Sequence, residues 1–338
     1  MTESMIPENA PLPWPSLYRV AAAALGGRIT WLDGSGYAGR IDFEVGPPCF
    51  FHGGMPSLNG SAQSRIAKDK AFTRNYLHSL GIPVPVEEIL FSADTPAPYR
   101  TGREAADAPR WAAQLGYPLY VKPVHLQQGL GVRRVADKSA LAEAVSAVLA
   151  LDTAILLQRP CAGQDVRILV LDGRVEMAYL RSPLRLVGDG ERPLRALLEA
   201  RFQESHFAVH KRPALVAEAL DRLGLPESHI LAANSAVVLQ DVANLSLGGE
   251  ATDILDRLDP RFAALAIRVA EAMDLRYAGV DLIAEDPSDA EQPYVVLEVN
   301  ASPGVRHMLG QTGAEDALVA FYTTLLRAVR DGPPNRRP

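Results

Sequence analysis

The sequence predicts an α+β fold with antiparallel sheets, and three observations carry that reading. Asp172-Gly173 separates two apolar runs, Val166–Leu171 and Arg174–Leu180, which is the strongest short-range hairpin signal a sequence offers. Asp33-Gly34-Ser35-Gly36 likewise lies between Arg28–Leu32 and Arg40–Val45, both strand-like. Helical stretches interrupt the strands without a regular βαβ alternation, which argues against a simple doubly wound sheet.

In chain order, residues 1–16 and 331–338 are rich in proline and polar residues and read as poorly ordered ends. Phe72, Tyr76 and Leu80, with Ile66 and Leu77, predict one helix over 64–80; Gly81 stops it, and Pro83 and Pro85 prevent its continuation. A loop covers about 91–109, followed by a strand over 118–123 and a glycine-bearing loop over 127–132. Leu141, Val145, Val148 and Leu149 share a helical face, and 155–158 is a short apolar strand before the hairpin. A polar region, 191–225, holds two helices. Phe262, Leu265, Ala266, Val269 and Met273 mark an amphipathic helix over 261–273. The chain closes on two apolar strands, 279–284 and 294–299, joined by an acidic loop. There is no internal repeat of 20–50 residues.

Composition bounds the function. The 338 residues are 48% hydrophobic and 22% charged, as in an ordinary globular protein of two domains or one elaborated domain. Thirty-four basic against 40 acidic residues leave a net charge of −6; a phosphate-contacting nucleic-acid binder would carry a basic surplus. Two cysteines, Cys49 and Cys161, exclude a disulfide framework and a four-cysteine zinc site. The aliphatic stretch Val20–Leu25 is too short to span a bilayer, and no basic leader precedes it. The expectation is a cytoplasmic protein that binds neither nucleic acid nor membrane.

Gly34-Ser35-Gly36-Tyr37-Ala38-Gly39 matches the dinucleotide pattern GxGxxG. That motif works by opening a helix toward a pyrophosphate. Here an alternating strand-like segment, Arg40–Val45, follows instead, so the glycines read as a turn. No GxxxxGK[ST], HExxH or GxSxG occurs. The histidines are scattered; His206 and His210 have HxxxH spacing but lie in a polar stretch and read as a solvated helix face.

The informative residues are acidic. Glu298 and Asn300 are two apart on a strand and so face one side, and Asp281 lies in the strand before it. Two carboxylates and an amide oxygen form a hard-oxygen set suited to Mg²⁺ with phosphates as its further ligands; a solvated sheet face is the plainer alternative. Lys122 sits in the apolar run Tyr120-Val121-Lys122-Pro123, where an ammonium is costly without a partner. The loop behind it, with Gly129 and Gly131, lets backbone N–H groups approach phosphate oxygens. Lys70 taken alone reads as a solvated helix lysine.

In this order the segments resemble the ATP-grasp superfamily, and more closely the ATP-grasp domain of the cyanophycin synthetases and bifunctional glutathione synthetases. The resemblance rests on Ser64–Lys70, Gly81–Pro85, Tyr120–Pro123, the glycine loop and Val166–Val170. Further downstream it includes Arg181-Ser182-Pro183, Val187–Gly190, Asn244–Asp253, Ala278–Asp281 and Glu298–Arg306, so that it covers about 62–328. It implies an ATP-grasp fold of two α+β subdomains gripping ATP: a short N-terminal segment 1–63, an N-terminal subdomain 64–158 with a glycine flap, a C-terminal subdomain 159–330 with the metal site, and a disordered tail 331–338.

By the same resemblance, Lys70 and Lys122 are phosphate-binding lysines, and Gln128, Gly129 and Gly131 belong to the flap. Gln158, Arg159 and Cys161 lie in the hinge that meets adenine, and Asp165 is the ribose ligand. Asp281, Glu298 and Asn300 are the magnesium ligands, for two Mg²⁺ ions with Mn²⁺ as an alternative. Arg167, Arg181 and Arg306 are catalytic candidates that hold the substrate carboxylate or an acyl phosphate. Asn244, Gly248, Gly249, Ser302 and Gly304 are implied to line the acceptor site. Two departures stand out: the usually acidic hinge position is Gln158, and the flap lacks the family's cation. The 338 residues also carry no Mur-ligase-like second half, so synthesis of the storage polymer is not expected.

The implied activity is an ATP-dependent carboxylate–amine ligation of small amino-acid or peptide substrates through an acyl phosphate, by a chain for which a homodimer is allowed. A phosphotransferase and a non-catalytic nucleotide-binding module remain alternatives on the same fold.

Overall fold

The computed structural model describes residues 13–95, 103–126, 130–204, 212–239, 243, 245, 249–305 and 314–333. The chain begins with helix α1 (Pro13–Ala23), followed by an antiparallel four-stranded sheet: β1 (Arg28–Trp31), β2 (Ala38–Asp42), β3 (Cys49–His52) and β4 (Met55–Pro56). The GxGxxG segment lies between β1 and β2, which pair Trp31 with Gly39, so the glycines serve a turn as expected. Residues 13–16, expected to be poorly ordered, instead open α1; Trp14 is 6% exposed.

The helix predicted over 64–80 is two helices, α2 (Ser61–Lys68) and α3 (Lys70–Ser79). Asp69 breaks it, taking an extended conformation and accepting from Phe72 N–H at 2.9 Å as the N-cap of α3. The buried face is also not the predicted one. Of the five residues that predicted it only Leu77 is buried, together with Ala71 and Thr73, whereas Ile66, Phe72, Tyr76 and Leu80 are exposed.

The second sheet runs β5-β8-β6-β7, from β5 (Glu87–Phe91), β6 (Leu119–Pro123), β7 (Arg133–Val135) and β8 (Ala154–Gln158), all antiparallel. Helices α4 (Ala108–Leu115) and α5 (Leu141–Leu149) cover one face through Leu119, Val121, Ile155 and Leu157. The predicted 91–109 loop thus yields its edges to β5 and α4.

The third sheet is the largest, in the order β13-β10-β9-β14-β15: β9 (Gln164–Leu171), β10 (Arg174–Ser182), β13 (Glu250–Asp253), β14 (Tyr277–Ala284) and β15 (Tyr294–Asn300). Asp172 and Gly173 both have positive φ (47° and 76°), as the β9–β10 hairpin turn demands. Between β10 and β13 a small unit holds β11 (Arg185–Val187), α6 (Leu194–Glu204), α7 (Arg212–Leu223) and β12 (Ala236–Val238), with its own core around Leu184, Leu198 and Phe202.

Side-chain alternation divides the large sheet. Val166, Ile168, Val170, Val280 and Leu282 face helix α8 (Pro260–Ala272) and the α2–α3 layer. The opposite face is polar at one end. At its other end Leu169, Leu171, Tyr179 and Tyr277 join a core with α1 and helix α9 (Ala314–Asp331). The sequence reading ended on two strands and missed α9, whose Leu318, Phe321, Tyr322, Leu325, Leu326 and Val329 recur at helical spacing and are all buried. Asp331 closes α9, and the Gly332 carbonyl accepts from Arg276 at 2.9 Å, so the folded body extends into the expected tail; 334–338 lie outside the described residues. Among the described residues no helix is long and apolar enough to cross a membrane.

Candidate active site

Antiparallel register places the acidic pair. Asp281 on β14 is directly opposite Glu298 on β15 and Arg167 on β9, and Arg167 is opposite Tyr179 on β10. Directly opposed residues share a face, so one row of side chains crosses four strands. Asn300, two positions beyond Glu298, stands opposite Gly279, while Asp165 and Arg181 pair one step along the sheet. The β14–β15 register shifts between Asp281 and Leu282, a bulge at Leu297 that lets Glu298 meet Asp281.

Asp281 is fully buried and bound on both oxygens. Arg167 donates from Nε and a terminal nitrogen, each at 2.6 Å, and Arg181 approaches Oδ2 at 2.9 Å. Burial alone would raise this carboxyl; the two guanidiniums overcome it and hold Asp281 near pKa 2. Arg181 also donates to Asp165 at 2.8 Å from Nε. Burial nevertheless pushes Asp165 up to about 6, against the pull of Arg181. Glu298 is the least compensated carboxylate of the group. Arg167 lies 3.7 Å away and Asn300 Nδ2 donates to it at 3.3 Å, while burial and the Asp281 charge raise its pKa.

The second sheet supplies cations. Lys122 donates to Gln158 Oε1 at 2.5 Å, and Gln158 Nε2 donates to Glu87 Oε2 at 2.5 Å. Burial lowers the Lys122 pKa against the opposing charges of Glu87 and of Glu298 on the large sheet. Lys70, placed at the start of α3 by the Asp69 break, donates to the carbonyls of Leu126 (2.5 Å) and Val124 (3.4 Å) at the base of the glycine loop. The next residue, His125, is gripped by Asp152 (Nδ1, 2.8 Å) and Asp69 (Nε2, 3.5 Å).

Several predicted residues stand apart. The Arg159 side chain turns to the Leu115 carbonyl at the end of α4, while its backbone N–H donates to Val86 at 3.0 Å. Cys161 is half-buried, its thiol raised by burial although Lys122 pulls it down. Gly131 has φ +75°, in the region that favours glycine. Ser302 is half-buried, Gly304 is exposed, and Gly249 directly precedes β13. Gln128, Gly129, Arg306, Asn244 and Gly248 lie outside the described residues.

Two groups that the sequence reading did not assign hold this site. Asn59 donates to the carbonyls of Tyr277 (2.6 Å) and Ala301 (2.7 Å) and accepts from the N–H groups of Arg276 (2.8 Å) and Tyr277 (3.1 Å). It thereby ties the start of β14 to the residue after Asn300. Pro303 lies across Gly279, where a Cβ would come within 2.8 Å of the proline, and Tyr277 donates to the Pro303 carbonyl at 2.8 Å. Glu87, the second group, is buried at the edge of its sheet.

Asp281, Glu298 and Asn300 converge and are of the types that suit a hard divalent cation. Asp281, however, has both oxygens on Arg167 and Arg181, and Asn300 turns Nδ2 toward Asp281 (3.5 Å) and Glu298 (3.3 Å). Among the described residues Glu298 is the member of the set without a close cationic partner. Among the described residues no group of three or more His, Cys, Asp or Glu is placed to hold a metal ion.

Two family models match the chain: the RimK-like ATP-grasp domain over residues 235–319 and the D-ala D-ala ligase C-terminus over residues 77–184. Cyanophycin synthetase of Geminocystis herdmanii is 29% identical over 298 residues, covering 84% of this chain and 33% of that protein. The bifunctional glutathione biosynthesis protein of Streptococcus mutans is 26% identical over 270 residues, covering 75% and 34%. The crystal structure of a bifunctional glutathione synthetase from Pasteurella multocida superposes with a TM-score of 0.55 at 20% identity, over 90% of this chain and 44% of the other. The chain spans about a third of the length of the curated relatives it matches.

Proposed function

We propose that this chain, which belongs to the ATP-grasp superfamily, is an ATP- and Mg²⁺-dependent ligase joining a carboxylate to an amine, with small amino-acid or peptide substrates. The observation that supports this most is the meeting of two unlike sets of charges. The anionic row Glu298–Asp281 and the arginines Arg167 and Arg181 stand on the large sheet, Lys122 stands on the second sheet, and Lys70 at the start of α3 is bonded to the carbonyls that follow β6.

In this reading, Asp281, Glu298 and Asn300 hold the divalent cation, which when bound supplies charge neutralisation at the triphosphate. Lys122 and Lys70 bind phosphate oxygens, and the hinge from Gln158 to Cys161 takes the adenine. Asp165 serves the ribose. Arg167 and Arg181, already desolvated, turn from Asp281 toward the carboxylate of the substrate and the phosphoryl group it receives. The carboxylate oxygen attacks the γ-phosphorus, the bond to the β–γ bridging oxygen breaks, and ADP leaves with that electron pair. The amine nitrogen then attacks the acyl carbon, phosphate departs, and the nitrogen loses a proton. Closure of the 125–132 loop keeps water from the intermediate.

The test is product analysis with pairs of amino acids. ADP and phosphate released only when both a carboxylate and an amine are present support ligation. A stable phosphorylated product formed from one substrate indicates phosphotransfer instead. AMP and pyrophosphate overturn the proposal.

A further inference from the structure

Glu87, Gln158 and Lys122 form a chain of polar side chains at the end of the β5-β8-β6-β7 sheet. Glu87 and Gln158 pair directly across β5 and β8, and both residues are buried, 6% and 5% exposed. The polarity of this chain is fixed from both ends. An ammonium has only donors, so the Gln158 atom facing Lys122 must be the oxygen, 2.5 Å away. The Gln158 NH₂ then needs an acceptor, and the Glu87 carboxylate takes it at 2.5 Å. Burial raises the Glu87 carboxyl against the pull of the Gln158 hydrogen bond, Lys122 and Arg74, whose Nε lies 4.0 Å from the other Glu87 oxygen; in either protonation state a Glu87 oxygen accepts from Gln158.

We propose that Glu87 is a positioning residue that sets base specificity: it locks the Gln158 amide so that its carbonyl oxygen, beside the Lys122 ammonium, faces the nucleotide base. The inference rests on the reading of 158–161 as the adenine hinge. A locked acceptor next to a donor complements an adenine edge, which presents the 6-amino donor next to the N7 acceptor. A 6-oxo purine presents acceptors at both positions and would set its O6 against Gln158 Oε1. The amide cannot rotate to suit it, because the NH₂ would then face an ammonium and the oxygen a carboxylate. Lys122 retains two further N–H groups for N7 and for phosphate. A carboxylate one strand away thus gives the hinge an oriented acceptor where its own residue is an amide.

The experiment measures equilibrium binding of ATP and of ITP, which carries a 6-oxo group in place of the 6-amino group, to the full chain by calorimetry. The wild type should prefer ATP by at least about tenfold, the cost of setting two acceptors against each other. Glu87→Met, which removes the acceptor at similar volume and leaves Lys122 alone to orient the amide, should lower the ratio by more than about threefold. Glu87→Gln, which can still accept from the Gln158 NH₂, should keep the ratio within about threefold of wild type. Equal binding of ATP and ITP by the wild type overturns the proposal, as does a Glu87→Met variant that keeps the preference. If Glu87→Met does not fold, Gln158→Met carries the test, and a retained preference there overturns the proposal. A wild type that binds neither nucleotide removes the ligase reading, and this inference with it, whereas loss of discrimination alone removes only the inference.

Discussion

Arg167 and Asp281 lie directly opposite each other on paired strands and close a two-point ion pair with both N···O distances at 2.6 Å. Arg181 joins the same carboxylate at 2.9 Å. Asp281 therefore has a structural role that Glu298 does not share, although both belong to the candidate metal set.

That difference gives the first prediction. Asp281→Asn leaves the largely buried Arg167 without its two-point partner and Arg181 with Asp165 alone, and breaking a buried pair costs about 3–5 kcal/mol. Chemical denaturation should show the loss clearly, with activity falling alongside. Glu298→Gln removes only a weakly paired charge, so the unfolding midpoint should stay near wild type while turnover collapses. Near-normal ADP formation by Glu298→Gln would exclude it from the metal site.

Lys122→Ala should weaken ATP binding by about tenfold to a hundredfold, because hydrogen bonds to charged groups contribute about 1.5–3 kcal/mol each. Lys122→Arg should rescue this only in part. A planar guanidinium does not reproduce a compact ammonium beside the Gln158 oxygen. Unchanged calorimetric affinity in Lys122→Ala would make the lysine structural.

Much of this site was legible because it depends on short spacings. Glu298 and Asn300 two apart on a strand, and a lysine inside Tyr120–Pro123, needed no knowledge of the fold. The arginine–carboxylate pairing was not legible, since it depends on β9 lying against β14 more than a hundred residues later, and on a bulge at Leu297. The face of α3 was misread for a physical reason. The large apolar side chains Phe72 and Tyr76 dominate the pattern, but the packing surface is built from Ala71, Thr73 and Leu77, which let the helix approach closely. Helices α1 and α9 escaped notice because each finds its partner at the opposite end of the chain. Asn59 left no periodic signal at all; its role lies in four backbone partners, all more than two hundred residues away.

Asn59→Ala should therefore act on both stability and catalysis. Four hydrogen bonds are lost, and strand ends are left with unpaired groups, a cost of about 3 kcal/mol. The loss should appear in the denaturation midpoint and, under conditions where the variant remains folded, as reduced kcat through the displaced Asn300. Asn59→Asp keeps the acceptor but not the donors, so it should fall between the two. A variant as stable and active as wild type would remove the clamp.

His125 gives a pH dependence with a definite sign. Its hydrogen bonds to Asp152 and Asp69 raise its pKa in the folded state to about 10, against about 6.5 in an unfolded chain. The folded state thus binds the proton more tightly. This contribution is fully present below about pH 6.5 and is lost as pH rises through about 10. Because His125 is half exposed, the effect is moderated by solvent. Thermal melts between pH 7 and 10 should fall more steeply for wild type than for His125→Gln. Parallel profiles would mean that the imidazolium contributes nothing.

The last prediction concerns which bond of ATP breaks. Glu298, Asp281 and Asn300 gather on the polar face of the large sheet with Arg167 and Arg181, and the Glu298 charge reaches Lys122 and Lys70. The candidate hinge from Gln158 to Cys161 leads through Gly163 into β9. Gly163 passes so close to the Ala284 carbonyl oxygen that a Cβ would sit 2.6 Å from it, which holds the hinge tightly against the large sheet. In the proposed reading, with the base at the hinge and the charge-stabilising groups around Glu298, charge develops between the β- and γ-phosphates and not between α and β. A carboxylate labelled with ¹⁸O should therefore pass one labelled oxygen to inorganic phosphate during ligation, with ADP as the other nucleotide product. Label recovered in AMP would show attack at the α-phosphorus. That result would require the base and the phosphates to lie the other way round in the cleft, and with it the roles given to Lys122 and Glu298 would fall.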